Sequence, residues 1–325
     1  CWSRWNGVKN LDSREFSERH PRWSARCKAV RYTATNHICG KGWWSWWIPL
    51  KGGDMSVGIV YDQRITELPE GGKVGERLRK FMSEHPAAKE LLEGATFQEG
   101  DVHFRRNCAY SSTRYAGDGF VLVGDAAAFM DPFYSPGMDW ISFSASAAAA
   151  LVDSCLSGRS APERVARHNA NFTASHDRWF SAIYRDKYYY MGDHELMTLA
   201  FRLDLGSYYL GVVSRPFDRG NAALEIPAFA LNGGKTAGTL MAFYNRRLAS
   251  IAKSRMARGT WGRSNTGRYH GFISYELNQR LLPRVVGQLA VWVLLEFREG
   301  WRSWFSFKAA EAPDPVVARA APAKT

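Results

Sequence analysis

The chain is short of paired cysteines. Its five cysteines (Cys1, Cys27, Cys39, Cys108 and Cys155) are odd in number, scattered, and never spaced C-x-x-C. That argues against both a disulfide framework and a zinc site and fits a reducing cytoplasm. Long apolar runs are also missing. The richest, Leu289 to Phe297, ends at Arg298 and Glu299, short of the roughly 18 residues a membrane-spanning helix needs. The chain opens on Cys1 and Trp2 without the order of a secretory leader, so its true start is expected upstream. No dinucleotide fingerprint G-x-G-x-x-G is present: Gly40-Lys41-Gly42 and Gly117-Asp118-Gly119 reach Ser45 and Leu122 where the last glycine belongs. Gly234-Lys235-Thr236 fails as a phosphate loop because Phe229 holds the first glycine position. Carboxylates are absent between Glu225 and Glu276, where Lys235, Arg246, Arg247, Lys253, Arg255, Arg258, Arg263 and Arg268 crowd together. That basic stretch suggests an anionic contact.

What is present suffices for a large core: 46% hydrophobic and 14% aromatic residues in 325. Residues 28–62 read as strands and turns, with Trp43 to Leu50 and Met55 to Tyr61 forming a hairpin across Lys51-Gly52-Gly53-Asp54. Lys73 to Met82 and Pro86 to Glu93 carry helical spacing, and Thr96 to Tyr110 returns to strand character. Phe120 to Val123 reads as a buried strand ending at Gly124. The clearest helix runs from Gly137 to Leu156, opened by Ser135-Pro136. From Gly158 the pattern is helical, with aromatic-rich segments around Trp179 to Tyr190, Leu240 to Met256 and Leu281 to Phe307.

Gly119-Phe120-Val121-Leu122-Val123-Gly124-Asp125-Ala126-Ala127 has a chemical logic. An apolar strand delivers a glycine and an acid to its end, where ligands of layered α/β folds bind. An Asp there accepts hydrogen bonds from ribityl or ribose hydroxyls, and a helix starting near Gly137 aims backbone N–H groups at a negative partner. A flavin meets both demands, since a helix N-terminus stabilises its anionic reduced form. Gly124-Asp125-Ala126 resembles the second flavin-binding motif of hydroxylase-type flavoproteins. Phe129-x-x-Pro132-x-x-Ser135-x-Gly137 and Trp44-Ser45-Trp46-Trp47-Ile48-Pro49 are similar to motifs of the flavin-dependent halogenases.

The resemblance implies an α/β (α+β mixed) chain forming part of an FAD-dependent hydroxylase-type fold. Residues 1–110 would form a substrate-side mixed β-sheet region, 111–157 the second flavin-binding segment, 158–308 a mainly helical region and 309–325 a disordered tail. It implies FAD as cofactor, with Gly124, Asp125, Ala126, Pro132, Ser135 and Gly137 around it. Trp44, Trp46, Ile48 and Pro49 would lie on the substrate side. An aromatic or apolar small molecule is the expected substrate, and NAD(P)H or a reductase the expected flavin reductant. Two departures bear on the reaction. The lysine that halogenases use belongs to an N-terminal part not in this chain, and Pro136, lacking an N–H, removes one donor from the Ser-x-Gly loop, which favours hydroxylation or another oxidoreductase reaction over halogenation. No catalytic residue is assigned, and no metal is expected.

Tyr188-Tyr189-Tyr190 with Trp179 and Phe180 would line an apolar pocket or simply fill a core. Two rival readings use the basic stretch. One is a flavin reductase or hydroxylase acting on lipid-like substrates, held peripherally at an anionic membrane surface through Leu240, Tyr244, Leu248 and Ile251, which fall at helical spacing. The other is a non-catalytic binding module using the arginines with Trp261 and Tyr269, although no nucleic-acid partner is expected in the absence of any RNA-binding motif.

Overall fold

The computed structural model describes residues 1–27, 29–158, 161–266 and 281–304, together with a strand at 318–319. It divides into two compact units, Cys1–Arg106 and Asn107–Thr325.

The first unit is an antiparallel sheet with short helices. Its strands are β1 (Trp2–Asn6), β2 (Asn36–Gly40), β3 (Trp43–Pro49), β4 (Met55–Tyr61) and β5 (Thr96–Phe97), in the order β2-β3-β4-β1-β5. The hairpin expected from the sequence is β3–β4, with Trp43 opposite Tyr61 and Pro49 opposite Met55. Every pairing in this sheet is antiparallel, where a mixed sheet was expected. Strand character in Thr96 to Tyr110 is confined to the two residues of β5, an antiparallel bridge from His103 to Trp2 and Tyr110 at the start of a further short strand, with a 3-10 turn at Glu99–Asp101 between the first two.

Helices α1 (Arg14–Arg19), α2 (Pro21–Ser24), α3 (Val74–Ser83) and α4 (Pro86–Leu91) complete the unit. α3 carries Leu78, Phe81 and Met82 into a core that also holds Trp5, Trp43, Trp47, Val57 and Ile59. Burying this apolar area is the unit's main stabilisation, at about 25 cal/mol per Å².

In the second unit, β6 (Tyr110–Ser111), β7 (Ala116–Gly117), β8 (Phe120–Val121) and β9 (Ala128–Phe129) are short, and the rest is helical: α5 (Gly137–Leu156), α6 (Ala161–Trp179), α7 (His194–Tyr208), α8 (Ser214–Arg219), α9 (Asn232–Ala257) and α10 (Leu281–Arg298). π-helical turns at Phe180–Tyr184 and Tyr209–Val213 continue α6 and α7. β10 (Ala318–Arg319) pairs in parallel with β6; the remainder of the segment expected to be a disordered tail lies outside the described residues. The expected buried strand at Phe120 to Val123 is instead the two-residue β8, paired with β7, and Phe120 is 47% exposed. A run of four apolar residues does not distinguish a buried strand from a hairpin edge whose second face meets solvent.

α5 packs closely because it presents small residues. Ser144, Ala147 and Ala148 are buried beside Trp140, Phe143 and Leu151. The Ser144 hydroxyl donates to the carbonyl of Trp140 at 2.7 Å and accepts the Gly124 N–H at 2.9 Å. The helix thereby fixes the start of the Gly-Asp-Ala turn.

The basic stretch is partly consumed internally. Arg247 donates to Glu296, the Gly300 carbonyl and the Ser303 hydroxyl. Arg255, fully buried, pairs with Asp193, Glu195 and Glu299. Although burial pushes Glu299 upward, hydrogen bonds from Arg255 and Arg298 hold its carboxyl down, to about 2. Tyr244, Leu248 and Ile251 are at most 1% exposed, and of that helical stripe Leu240 alone reaches the surface, at 45%. The stripe is core, which removes the apolar face that the membrane-surface reading needed. No helix among the described residues is long and apolar enough to cross a membrane. Arg268 and Tyr269, parts of the two rival readings, lie outside the described residues.

Candidate functional site

Two groups of site residues lie in different units. Trp44, Trp46, Ile48 and Pro49 sit on β3 of the first unit. Alternation along the strand sends Trp43, Ser45 and Trp47 to one face and Trp44, Trp46 and Ile48 to the other. Trp43 and Trp47 enter the core, and the Trp47 indole N–H donates to the Ser45 hydroxyl at 2.9 Å. On the opposite face Trp46 packs against Trp44 and Trp2, with ring centroids 5.7 and 6.3 Å away. Its indole donates to Ser56 at 3.1 Å. Gly58 is opposite Trp46 in the ladder, and a Cβ there would meet Trp46 at 2.2 Å and Trp2 at 2.5 Å. The bare backbone is what lets the Trp46 ring lie across β4. Trp44 is 2% exposed and Ile48 36% exposed, so this aromatic face is graded from buried to open.

The second group converges. Asp125, Pro132, Ser135 and Gly137 line one cavity of about 290 Å³ with Ala128, Phe129, Met130, Asp131, Pro136, Met138, Trp140 and Ile141. Asp125 follows Gly124, which takes a left-handed φ of 59° and is packed so that a Cβ would lie 3.0 Å from Ile141. Tyr110 donates from its hydroxyl to the Asp125 carbonyl. The Asp125 side chain is exposed. It stands on a turn following a hairpin yet shares its cavity with the mouth of α5. Ala126 is exposed on the same turn but is not part of the cavity wall.

α5 begins without a side-chain cap. Pro136 is its N-cap residue and makes no such bond; the first backbone bond into the helix runs from Trp140 N–H to the Pro136 carbonyl at 2.9 Å. The N–H groups of Gly137, Met138 and Asp139 precede it, a concentration of donors suited to an anion. A Cβ at Gly137 would meet nothing within 4 Å, so the space over it is open. Ser135 has committed its N–H to the Pro132 carbonyl at 3.0 Å. An uncapped 20-residue helix opening on a mainly apolar cavity, with an exposed carboxylate on the rim, fits the anionic edge of a flavin and its ribityl chain.

The loop itself is held by groups that the sequence did not connect with it. The Asp131 carboxylate accepts from the Phe133 N–H at 2.8 Å and the Tyr188 hydroxyl at 2.6 Å. Burial pushes its pKa up against those bonds. Tyr184 donates to the Phe133 carbonyl at 3.0 Å and Tyr208 to Asp139 at 3.0 Å; Asp139 too is pushed up by burial. Lys187, wholly buried, pairs with Asp204 at 2.6 Å and reaches the Tyr134 hydroxyl at 3.3 Å. Tyr188 and Tyr190 are thus core groups with structural partners. The available signal was weak: one lysine inside a tyrosine run and one aspartate inside the apolar helix Leu196 to Leu205. Among the described residues no cluster of His, Cys, Asp or Glu has the form of a metal site.

Comparison with known proteins identifies the family and the fold. The sequence matches the family model for tryptophan halogenases over residues 24–190, more than half of the 325. It is 36% identical over 124 residues to the flavin-dependent halogenase gsfI of Penicillium aethiopicum, covering 37% of this chain and 23% of that protein. It is 32% identical over 162 residues to the flavin-dependent halogenase ptaM of Pestalotiopsis fici, covering 49% of this chain and 28% of that one. The chain therefore spans about a quarter of the length of these relatives. Its fold is similar to the crystal structure of halogenase PltM, with a TM-score of 0.62, 17% identity, and coverage of 89% of this chain and 57% of that one. It is also similar to PltM in complex with phloroglucinol and FAD, with a TM-score of 0.60. With the family model matched over residues 24–190, more than half of the sequence, this chain belongs to the tryptophan halogenase family.

Proposed function

We propose that this chain supplies the second cofactor segment and the substrate-side sheet of an FAD-dependent oxidoreductase of halogenase type acting on an aromatic or apolar small molecule. The observation that carries the reading is the shared cavity of Asp125, the Pro132–Gly137 loop and the uncapped mouth of α5. FAD, reduced by NAD(P)H or a partner reductase, supplies the oxygen and electron chemistry when bound. Asp125 holds ribityl or ribose hydroxyls as an acceptor. The first-turn N–H groups of α5 favour the anionic reduced form by about 0.3–1 kcal/mol at exposed geometry, and more where water is excluded. Pro132, Ile141 and Met138 present an apolar wall to the flavin side of the cavity. Trp44 and Trp46 are assigned to the substrate side.

A second reading, oxygenation without halogen, is favoured by a specific observation. In the Ser135-Pro136-Gly137 loop Pro136 has no N–H and the Ser135 N–H is used internally, which leaves Gly137 to offer an amide to a halide. Both readings are tested in the full-length protein by titrating FAD and then assaying a phenolic panel with and without chloride or bromide. Asp125→Ala is expected to weaken FAD binding tenfold or more. Unchanged affinity sinks the site. Halide-dependent products favour halogenation, and oxygenated products indifferent to halide favour the second reading.

A further inference from the structure

The loop between β9 and α5 is backbone-strained beside the cavity, at Ser135 in its wall and at Tyr134 just behind it in the chain. Tyr134 and Ser135 both have left-handed φ angles, 69° and 54°, although neither is glycine. Each such residue costs roughly 1–2 kcal/mol, so two in succession persist only where the surroundings over-determine them. Those surroundings are specific. The Tyr134 hydroxyl lies 3.3 Å from both Lys187 Nζ and Asp204 Oδ2, and the Lys187 ammonium stands 4.7 Å from the Tyr134 ring centroid and 5.9 Å from that of Phe133. Asp204 is itself locked, accepting from Tyr244 at 2.7 Å and Asn245 at 3.1 Å on its other oxygen. The Asn245 amide donates onward to the Ala182 carbonyl at 2.7 Å, and Tyr190 donates to the Asn245 carbonyl oxygen.

A buried ion pair is poor evidence of stability, because desolvating two charges costs about what their attraction returns. Its retention beside two strained residues calls for another role. We propose that Lys187, fixed by Asp204, is a positioning residue for the cofactor loop: it grips Tyr134 through hydroxyl and ring face, sets the left-handed turn at Tyr134 and Ser135, and so directs the Gly137 amide into the cavity. This rests on reading that cavity as the flavin site.

The test separates the two claims by using readouts with and without cofactor. Hydrogen exchange of the Phe133–Asp139 amides is measured in the full-length protein without FAD, for the wild type and for Lys187→Met/Asp204→Asn. The double variant strands no buried charge, and the carboxamide oxygen introduced by Asp204→Asn still accepts from Tyr244 and Asn245, so its melting temperature stays near that of the wild type. The expected result is exchange at least tenfold faster in this segment alone, together with FAD affinity weakened severalfold and a shifted flavin absorption band. Lys187→Met alone, which leaves Asp204 unpaired, lowers the melting temperature as well. Wild-type exchange rates in the double variant overturn the proposal. A wild-type protein that binds no FAD overturns the site reading, while the exchange comparison still decides the role of Lys187.

Discussion

The two units solve burial differently. In Cys1–Arg106 the buried polar side chains among the described residues are Ser3 and Ser45, and everything else in the core is apolar or aromatic. In the second unit Asp131, Lys187, Asp193, Asp204, Arg247, Arg255, Glu296 and Glu299 are all buried. The difference follows from how backbone is satisfied. A sheet pairs its own N–H and C=O groups and needs only side chains that fit its faces. The helical unit must also seat turns, π-helical segments and an uncapped helix mouth, and it does so with tyrosine hydroxyls, a lysine and arginines from distant positions. Shape governs the first unit, and polar pairing governs the second.

The sharpest way to break this comparison is at Arg255. Arg255→Met leaves Asp193 buried without its cation, while Glu299 keeps Arg298 and Arg263, and the expected loss is about 3–5 kcal/mol in urea unfolding. Much of the cost should vanish when Asp193→Asn is added, since no fully buried charge is then left without a partner. A loss under about 1 kcal/mol for the single variant would mean that the pairing is incidental.

Next in size is the shape-governed counterpart. Gly58→Ala pushes a methyl into Trp46 and the Trp2 Cβ, with an expected cost of about 1–3 kcal/mol. Combining it with Trp46→Ala should recover only part, because the Trp2 contact remains, and the coupling read from that double-mutant cycle measures how much of the strain is the indole's. Additivity of the two changes would deny that Gly58 exists to seat Trp46.

A pH series probes a feature the two units share, histidines lowered by burial, at its best-defined case in the second unit. Burial lowers His168 from 6.5 to about 4. The neutral imidazole is the folded form, so its contribution is complete above pH 6.5 and is lost as pH falls through about 4. His168→Gln should flatten the stability profile across that window, measured by thermal unfolding in matched ionic strength. A profile identical to the wild type would place the slope elsewhere.

These contrasts explain what the sequence disclosed. The β3–β4 hairpin was legible because Trp43 to Pro49 and Met55 to Tyr61 alternate and flank Gly52-Gly53, a local signal. α5 was legible to its boundaries from Ser135-Pro136 at one end and Gly158 beyond the other. The cavity walls Asp125, Pro132, Ser135 and Gly137 came from motif resemblance, and all lie within a short stretch of one another. The grip on the loop was not legible. Tyr188 is 57 positions from Asp131 and Tyr208 is 69 from Asp139, and no spacing rule links groups that meet only after helices pack. The basic stretch misled for the same reason: the acids that absorb Arg247 and Arg255 lie 44 to 62 positions away.

The smallest effect is also the most discriminating within the loop. Ser135→Gly relieves a left-handed residue without touching the Lys187 network, and glycine's extra unfolded-state entropy offsets part of the gain, so a net stabilisation of up to about 1 kcal/mol is expected. Tyr134→Gly relieves the same kind of backbone strain but removes the hydroxyl and ring that Lys187 holds, and should be destabilising overall. Opposite signs for two adjacent substitutions of the same kind would mean that the strain at Tyr134 is compensated by its side-chain contacts while that at Ser135 is merely imposed by its neighbour. Equal signs in urea unfolding would remove the reason to treat Tyr134 as the point where the helical unit grips the loop.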